Sequence, residues 1–220
     1  MIIAVDGPAA SGKGTLALGL ARHYRLPHLD TGLLYRAVGL AAAEAVDTPE
    51  FEARAIAAAQ ALDPAHLSDR DSLTSAAAGP LASKVAVIGP VRAALYDFQR
   101  KFALQPGGAV LDGRDIGTVI APDADVKLFI EADSKARMER RARQLEARGQ
   151  AVDRYGLYHQ IEERDARDRA NPHGGFYPAP DAHLLDTTRL DIDAALRAAV
   201  AIVDGVLAGK AKRSTTPNGF

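Results

Sequence analysis

Five short apolar runs, each closed by an acid or a turn residue, punctuate the chain: Met1–Val5, Leu26–Leu29, Ala109–Leu111, Val126–Ile130 and His183–Leu185. Runs this short, with little apolar–polar alternation, suit strands buried on both faces. Between them, apolar positions recur every three or four residues. That spacing predicts helices over Thr15–His23, Gly32–Val46, Pro49–Leu62, Asp71–Ile88, Val91–Leu104, Ser134–Arg148, Asp153–Arg169 and Ile192–Leu207. The punctuation agrees. Thr48-Pro49-Glu50 offers a cap, a proline at the first helical position and an acid in the first turn, while Gly89-Pro90 and Gly149 mark breaks. Strands alternating with helices imply an α/β protein, a parallel five-stranded sheet with helices on both faces.

Two segments interrupt the alternation. Residues 37–92 read as helix without a strand, an insert between the second and third strands, and residues 135–180 are rich in arginine and end in Asn171-Pro172-His173-Gly174-Gly175. Inserts at the carboxyl ends of parallel strands are where such sheets bind ligands and grow lids. Residues 1–208 are expected to form a single domain. The tail, 209–220, is polar and marked by Gly and Pro, and is expected to fray.

The first strand runs directly into Gly7-Pro8-Ala9-Ala10-Ser11-Gly12-Lys13-Gly14-Thr15, a G-x-x-x-x-G-K phosphate loop between a strand and a helix. Glycines let successive N–H groups turn inward around an anion, and the following helix aims its N-terminal dipole at the same point. Lys13 adds a charge for the outer phosphates of a nucleoside triphosphate. Gly14 stands where GTPases and many ATPases carry the Ser or Thr that binds Mg²⁺; the hydroxyl arrives one residue later, at Thr15. Lys-Gly-Thr at this point resembles the nucleoside monophosphate kinases.

Composition narrows the partners. The 220 residues carry a formal charge of −1, so neither a nucleic acid nor an anionic membrane is expected, and no apolar run is long enough to span a bilayer. There is no cysteine, which excludes disulfides and thiol chemistry and is compatible with a cytoplasmic setting. Six histidines show no metal-ligand spacing.

Further along stand Asp30-Thr31-Gly32-Leu33-Leu34-Tyr35-Arg36, Asp112-Gly113-Arg114-Asp115-Ile116-Gly117-Thr118, Glu163-Arg164-Asp165-Ala166-Arg167-Asp168-Arg169 and Leu185-Asp186-Thr187-Thr188. With these in order behind the phosphate loop, the chain resembles the bacterial cytidylate kinases from Met1 to about Leu207. The resemblance implies the three-layer P-loop kinase fold, with a helical acceptor-binding insert and an arginine-rich lid. It implies transfer of the γ-phosphoryl group of ATP to CMP or dCMP by a monomer, with Mg²⁺ bound alongside ATP. It assigns Thr31, Tyr35, Arg36, Ser83, Arg92, Arg114, Asp115, Arg164 and Asp168 to the acceptor nucleotide. Among these, Arg36 and Arg114 hold its phosphate, Ser83, Arg92 and Asp115 its cytosine, and Arg164 with Asp168 its phosphate and ribose. Lys13, Arg114, Arg140 and Arg141 are the expected catalytic cations, and Thr15 and Asp112 the expected neighbours of Mg²⁺, through water.

Several assignments have a plainer rival. Asp115 fits a helix cap or a partner for Arg114; Arg164 and Asp168, four apart, fit an intrahelical ion pair; Asp112 fits a turn cap; the arginines of 137–143, interspersed with acids, fit a solvated face. The family's further arginine near position 171 is here Asn171, which Arg167 or Arg169 would have to replace. The insert also shortens, around Leu62–Ser68. Another P-loop kinase acting on UMP, AMP or a hydroxyl, or a nucleotide-switched binding protein, are the competing functions. No Asn-Lys-x-Asp base-reading element occurs, which disfavours a GTPase.

Overall fold

A computed structural model describes residues 1–63, 67, 69–75, 77–171 and 176–214, the side chains of Arg70 and of 211–214 excepted. Five strands, β1 (Ile2–Asp6), β2 (His28–Asp30), β3 (Ala109–Gly113), β4 (Val126–Glu131) and β5 (His183–Asp186), form one parallel sheet in the order β2-β3-β1-β4-β5. Register runs Val5 opposite Asp112 and Asp6 opposite Gly113, and Asp30 opposite Asp112. The carboxyl ends of β1, β2 and β3 therefore lie side by side and carry the phosphate loop, Asp30 and Asp112 to one edge.

Alternate residues of β1 supply the two faces. Ile3 and Val5 pack with Leu16, Leu20, Ala199 and Val203 of α1 (Lys13–Tyr24) and α9 (Ile192–Ser214). Ala4 packs on the opposite side with residues of α2 (Thr31–Ala41), α3 (Phe51–Gln60), α5 (Ala78–Val85) and α6 (Gly89–Ala103). Burying each such aliphatic side chain stabilises the fold by roughly 1.5–3 kcal/mol relative to exposure, which is why short apolar runs suffice to define the strands. A third, small cluster of Met138, Ala142 and Ile161 zips α7 (Ser134–Glu146) to α8 (Arg154–Ala170).

Several expected boundaries move. The single helix predicted over Asp71–Ile88 is two, α4 (Arg70–Leu73) and α5, separated around Thr74-Ser75. The alanine-rich sequence there has no periodicity to betray the break. Thr48 does not cap α3; its hydroxyl donates to the Ala45 carbonyl, and the helix starts at Phe51. The predicted helix Gly32–Val46 ends at Ala41 and passes into a short 3₁₀ turn, Ala43–Ala45. α9 runs helical to Ser214, past the Leu207 end expected from the sequence, and residues 215–220 of the tail lie outside the described residues. Most of the shortened Leu62–Ser68 segment and residues 172–175 also lie outside them.

Candidate active site

The loop after β1 is built for an anion. Gly7 has φ +152°, and a Cβ there would overlap the Ile130 carbonyl; Gly12 has φ +91°. Ala10 adopts φ +60°, so left-handed and ordinary conformations combine in the loop, which is how successive N–H groups come to face one point. The first turn of α1 contains no acid to compete for its dipole. The Lys13 ammonium donates to the Pro8 carbonyl at 3.2 Å, curling back along the loop. Burial, with Arg114 and Arg164 repelling it, pushes Lys13 down to about 7, against the pull of Asp112.

In front of the loop opens a cavity of about 660 Å³. Its lining includes Lys13, Gly14 and Thr15 of the loop, and also Ser83, Arg92 and Asp115. Arg36, Arg114, Arg164 and Asp168 line it too, with Arg141 and Arg167 contributed by α7 and α8. The Arg114 Nε donates to the Asp168 Oδ2 at 2.7 Å, and its guanidinium lies 5.8 Å from the Phe176 ring centre. Asp168 is thus paired with Arg114 of the loop after β3; the α8 spacing does not produce the intrahelical pair. Against the upward push of burial, Arg114 and Arg164 hold the Asp168 carboxyl below its ordinary range. Arg164 is pushed down to about 9 by burial and by Arg114, and its Nε, like that of Arg36, finds no acceptor among the described residues.

The cavity lining also carries a charged pair. An Arg92 amino group donates to the Asp115 carboxylate, and the Arg92 guanidinium lies 6.0 Å from the Tyr35 ring centre. Asp115 therefore pairs with Arg92 and not with Arg114. The loop bearing Arg114 and Asp115 is pinned from below by Asp6, whose carboxylate accepts the N–H groups of Ile116 and Gly117, both at 2.8 Å. On the β2 side, Asp112 Oδ1 lies 2.7 Å from His28 Nε2, and its carbonyl accepts from the Thr31 hydroxyl at 2.8 Å. The Asp112 carboxylate also faces Gly14. Burial, then Asp112, raises the Asp30 carboxyl.

The family model described as cytidylate kinase matches residues 3–204, nearly the whole of this chain. The chain belongs to the cytidylate kinase family. It is similar to the cytidylate kinase of Nitrobacter winogradskyi, 54% identical over 206 residues that cover 94% of this chain and 97% of that one. The cytidylate kinase of Xanthobacter autotrophicus is 55% identical over 210 residues, covering 96% and 100%. The crystal structure of an uncharacterized protein from Eubacterium ventriosum ATCC 27560 shares the fold alone, at 18% identity and a TM-score of 0.52, covering 93% of this chain and 98% of that one.

In this member of the family, all nine acceptor-side residues named from the sequence line the one cavity: Thr31, Tyr35, Arg36, Ser83, Arg92, Arg114, Asp115, Arg164 and Asp168. Arg140 does not line it. Its guanidinium is held by the Ser11 carbonyl at 3.1 Å and by the hydroxyl and carbonyl of Thr187, so it braces the loop. Of the two candidates to replace the arginine absent at Asn171, Arg167 lines the cavity, with its Nε donating to Ser83 at 3.2 Å; Arg169 is exposed and does not. The Asn171 amide instead donates to the Ala86 carbonyl at 2.9 Å. Sequence reasoning gave no role to Asp6, His28, Asp30, Phe176 and Thr187, though Asp30 and Thr187 stand inside motifs it singled out. Asp6 and Asp30 end strands beside the loop, and that position was the available signal. Phe176, beyond an irregular segment, gave none.

Proposed function

We propose that this protein transfers the γ-phosphoryl group of ATP to the phosphate of CMP or dCMP, releasing ADP and CDP or dCDP. The observation that carries this reading is one cavity whose lining combines a phosphate loop, the paired Arg92 and Asp115, and arginines 36, 114, 164 and 167. Two phosphorylated molecules laid end to end need that distribution. ATP phosphates occupy the loop and Lys13, while the acceptor's phosphate meets Arg36, Arg114 and Arg164, whose planar forks suit phosphate oxygens. Cytosine lies against Tyr35, where Asp115 accepts from its exocyclic amine and Arg92 donates to its ring acceptors. Ser83 lies alongside.

No general base is required. The second pKa of a phosphate monoester is about 6, so the acceptor is mostly a dianion at neutral pH. The protein's task is to align donor and acceptor and to compensate negative charge on the transferring group. Lys13, Arg114 and Arg141 are cations that line the cavity and suit that task. The Thr15 hydroxyl and the Asp112 carboxylate are hard oxygen donors on the loop side of the cavity, the chemistry Mg²⁺ prefers. Mg²⁺ bound there with ATP would neutralise phosphate charge. The α7–α8 hairpin closing over the cavity would keep out water, the competing acceptor. Small-molecule substrates alone, in a cytoplasmic monomer, complete the proposal.

An ADP-release assay with CMP, dCMP, UMP, AMP and no acceptor tests it. ADP production dependent on CMP or dCMP is expected. Equal release without an acceptor, or a clear preference for AMP, would overturn the reading.

A further inference from the structure

Arg137 lies on α7 among charged neighbours, yet it is only 3% exposed. Its Nε donates to the Ala132 carbonyl at 3.0 Å, one amino group to the Ala9 carbonyl at 3.2 Å, and the other to the Ser134 hydroxyl at 2.8 Å. The nitrogen that reaches Ala9 lies 2.7 Å from the Asp165 carboxylate, which is 1% exposed on α8. Asp165 stands between Arg164 and the turn that carries Arg167 and Asp168. One guanidinium therefore touches both the phosphate loop and the helix that presents the acceptor-side charges.

A buried ion pair is a poor way to stabilise a fold, because apolar residues of the same volume usually do as well. Here the small apolar cluster of Met138, Ala142 and Ile161 already joins α7 to α8. The pair's distinctive property is its connectivity, since Ala9 lines the cavity beside Lys13 while Arg164 and Asp168 line it one helix away. Any shift of the Ala9 carbonyl on filling of the loop would reach Asp165 through the Arg137 guanidinium, which touches both.

We infer that Arg137 and Asp165 are a positioning pair that couples the donor and acceptor sites, so that each nucleotide tightens the binding of the other. The inference rests on the two-site reading above. By linkage the effect is the same in both directions, and couplings of this kind span about 5- to 150-fold.

The test measures binding of a non-hydrolysable ATP analogue by calorimetry, with and without saturating CMP, alongside thermal melting. In the wild type, CMP should tighten the analogue about fivefold or more. In Asp165→Asn that ratio should fall below about twofold while affinity for the analogue alone changes less than about threefold, a split that a purely structural role would not give. Arg137→Lys keeps the charge opposite Asp165 but loses the fork that reaches Ala9, Ala132 and Ser134 together. It should also lose the coupling, and it carries the test if Asp165→Asn fails to fold. An undiminished ratio in a folded variant, or no coupling in the wild type, overturns the inference. Failure of the wild type to phosphorylate CMP would instead defeat the site reading, and the ADP-release assay separates the two.

Discussion

Asp6 offers the sharpest quantitative test, because it is buried and both its oxygens are engaged by backbone N–H groups. Burial pushes its carboxyl from 3.8 up to about 7, opposed by the Gly117 and Ile116 hydrogen bonds, with Asp115 raising it further and Lys13 lowering it. Lys127 packs its aliphatic stem against Gly117 beside it. Between pH 3.8 and about 7 the folded protein retains a proton that the unfolded chain gives up, so stability falls as pH rises through that window. At about 1.4 kcal/mol per pH unit, the loss attributable to Asp6 is roughly 4 kcal/mol. Asp6→Asn cannot titrate, so urea unfolding of both proteins from pH 4 to 8 isolates the effect. Wild-type stability relative to Asp6→Asn should decline by about that amount and level off above pH 7 to 8. A constant difference across the range would refute the argument. Asp6→Ala leaves two buried N–H groups without an acceptor and should cost roughly 2–6 kcal/mol. It should also raise KM for CMP, since those groups anchor the loop of Arg114 and Asp115.

Lys13→Ala should melt near the wild-type temperature but lose on the order of 3 kcal/mol of transition-state stabilisation, about a hundredfold or more in kcat. Near-normal turnover would refute the loop's role. Asp115→Asn should narrow the CMP-to-UMP ratio of kcat/KM by ten- to a hundredfold, mainly by losing CMP, because a carboxylate facing uracil's carbonyl confronts a second acceptor. An unchanged ratio would mean Asp115 does not face the base. Arg167→Ala should raise KM for CMP at least tenfold with little change for ATP, whereas Arg169→Ala should change neither; steady-state kinetics with each substrate varied decides the matter.

The strands and the phosphate loop were legible because each depends on neighbours in sequence. Five apolar runs sit within two residues of β1 to β5, and the Gly7–Thr15 spacing carries its own geometry. What tertiary contacts decide was not legible. Arg137 and Arg141 share a face of a charged helix, yet one is locked on Asp165 and the other lines the cavity. The i, i+4 spacing of Arg164 and Asp168 suggested a local pair, but Arg114, fifty-four residues away, takes the aspartate. Asp6 read as the last residue of a strand. Only the register of β1 against β3 brings it beneath Ile116 and Gly117.

The crowding of guanidinium groups around the cavity also has a thermodynamic meaning for the living cell. Arg36, Arg114 and Arg164 repel one another, and two of them bury a nitrogen that has no acceptor among the described residues. A fold that concentrates like charges at its centre has part of its cohesion supplied from outside, by whatever anions it meets. At nucleotide concentrations a hundredfold above Kd, mass action adds about 2.7 kcal/mol to the folded state. Proteolytic lifetime in the cell would then follow the nucleotide pool, and the enzyme would last longest when its substrates are most abundant.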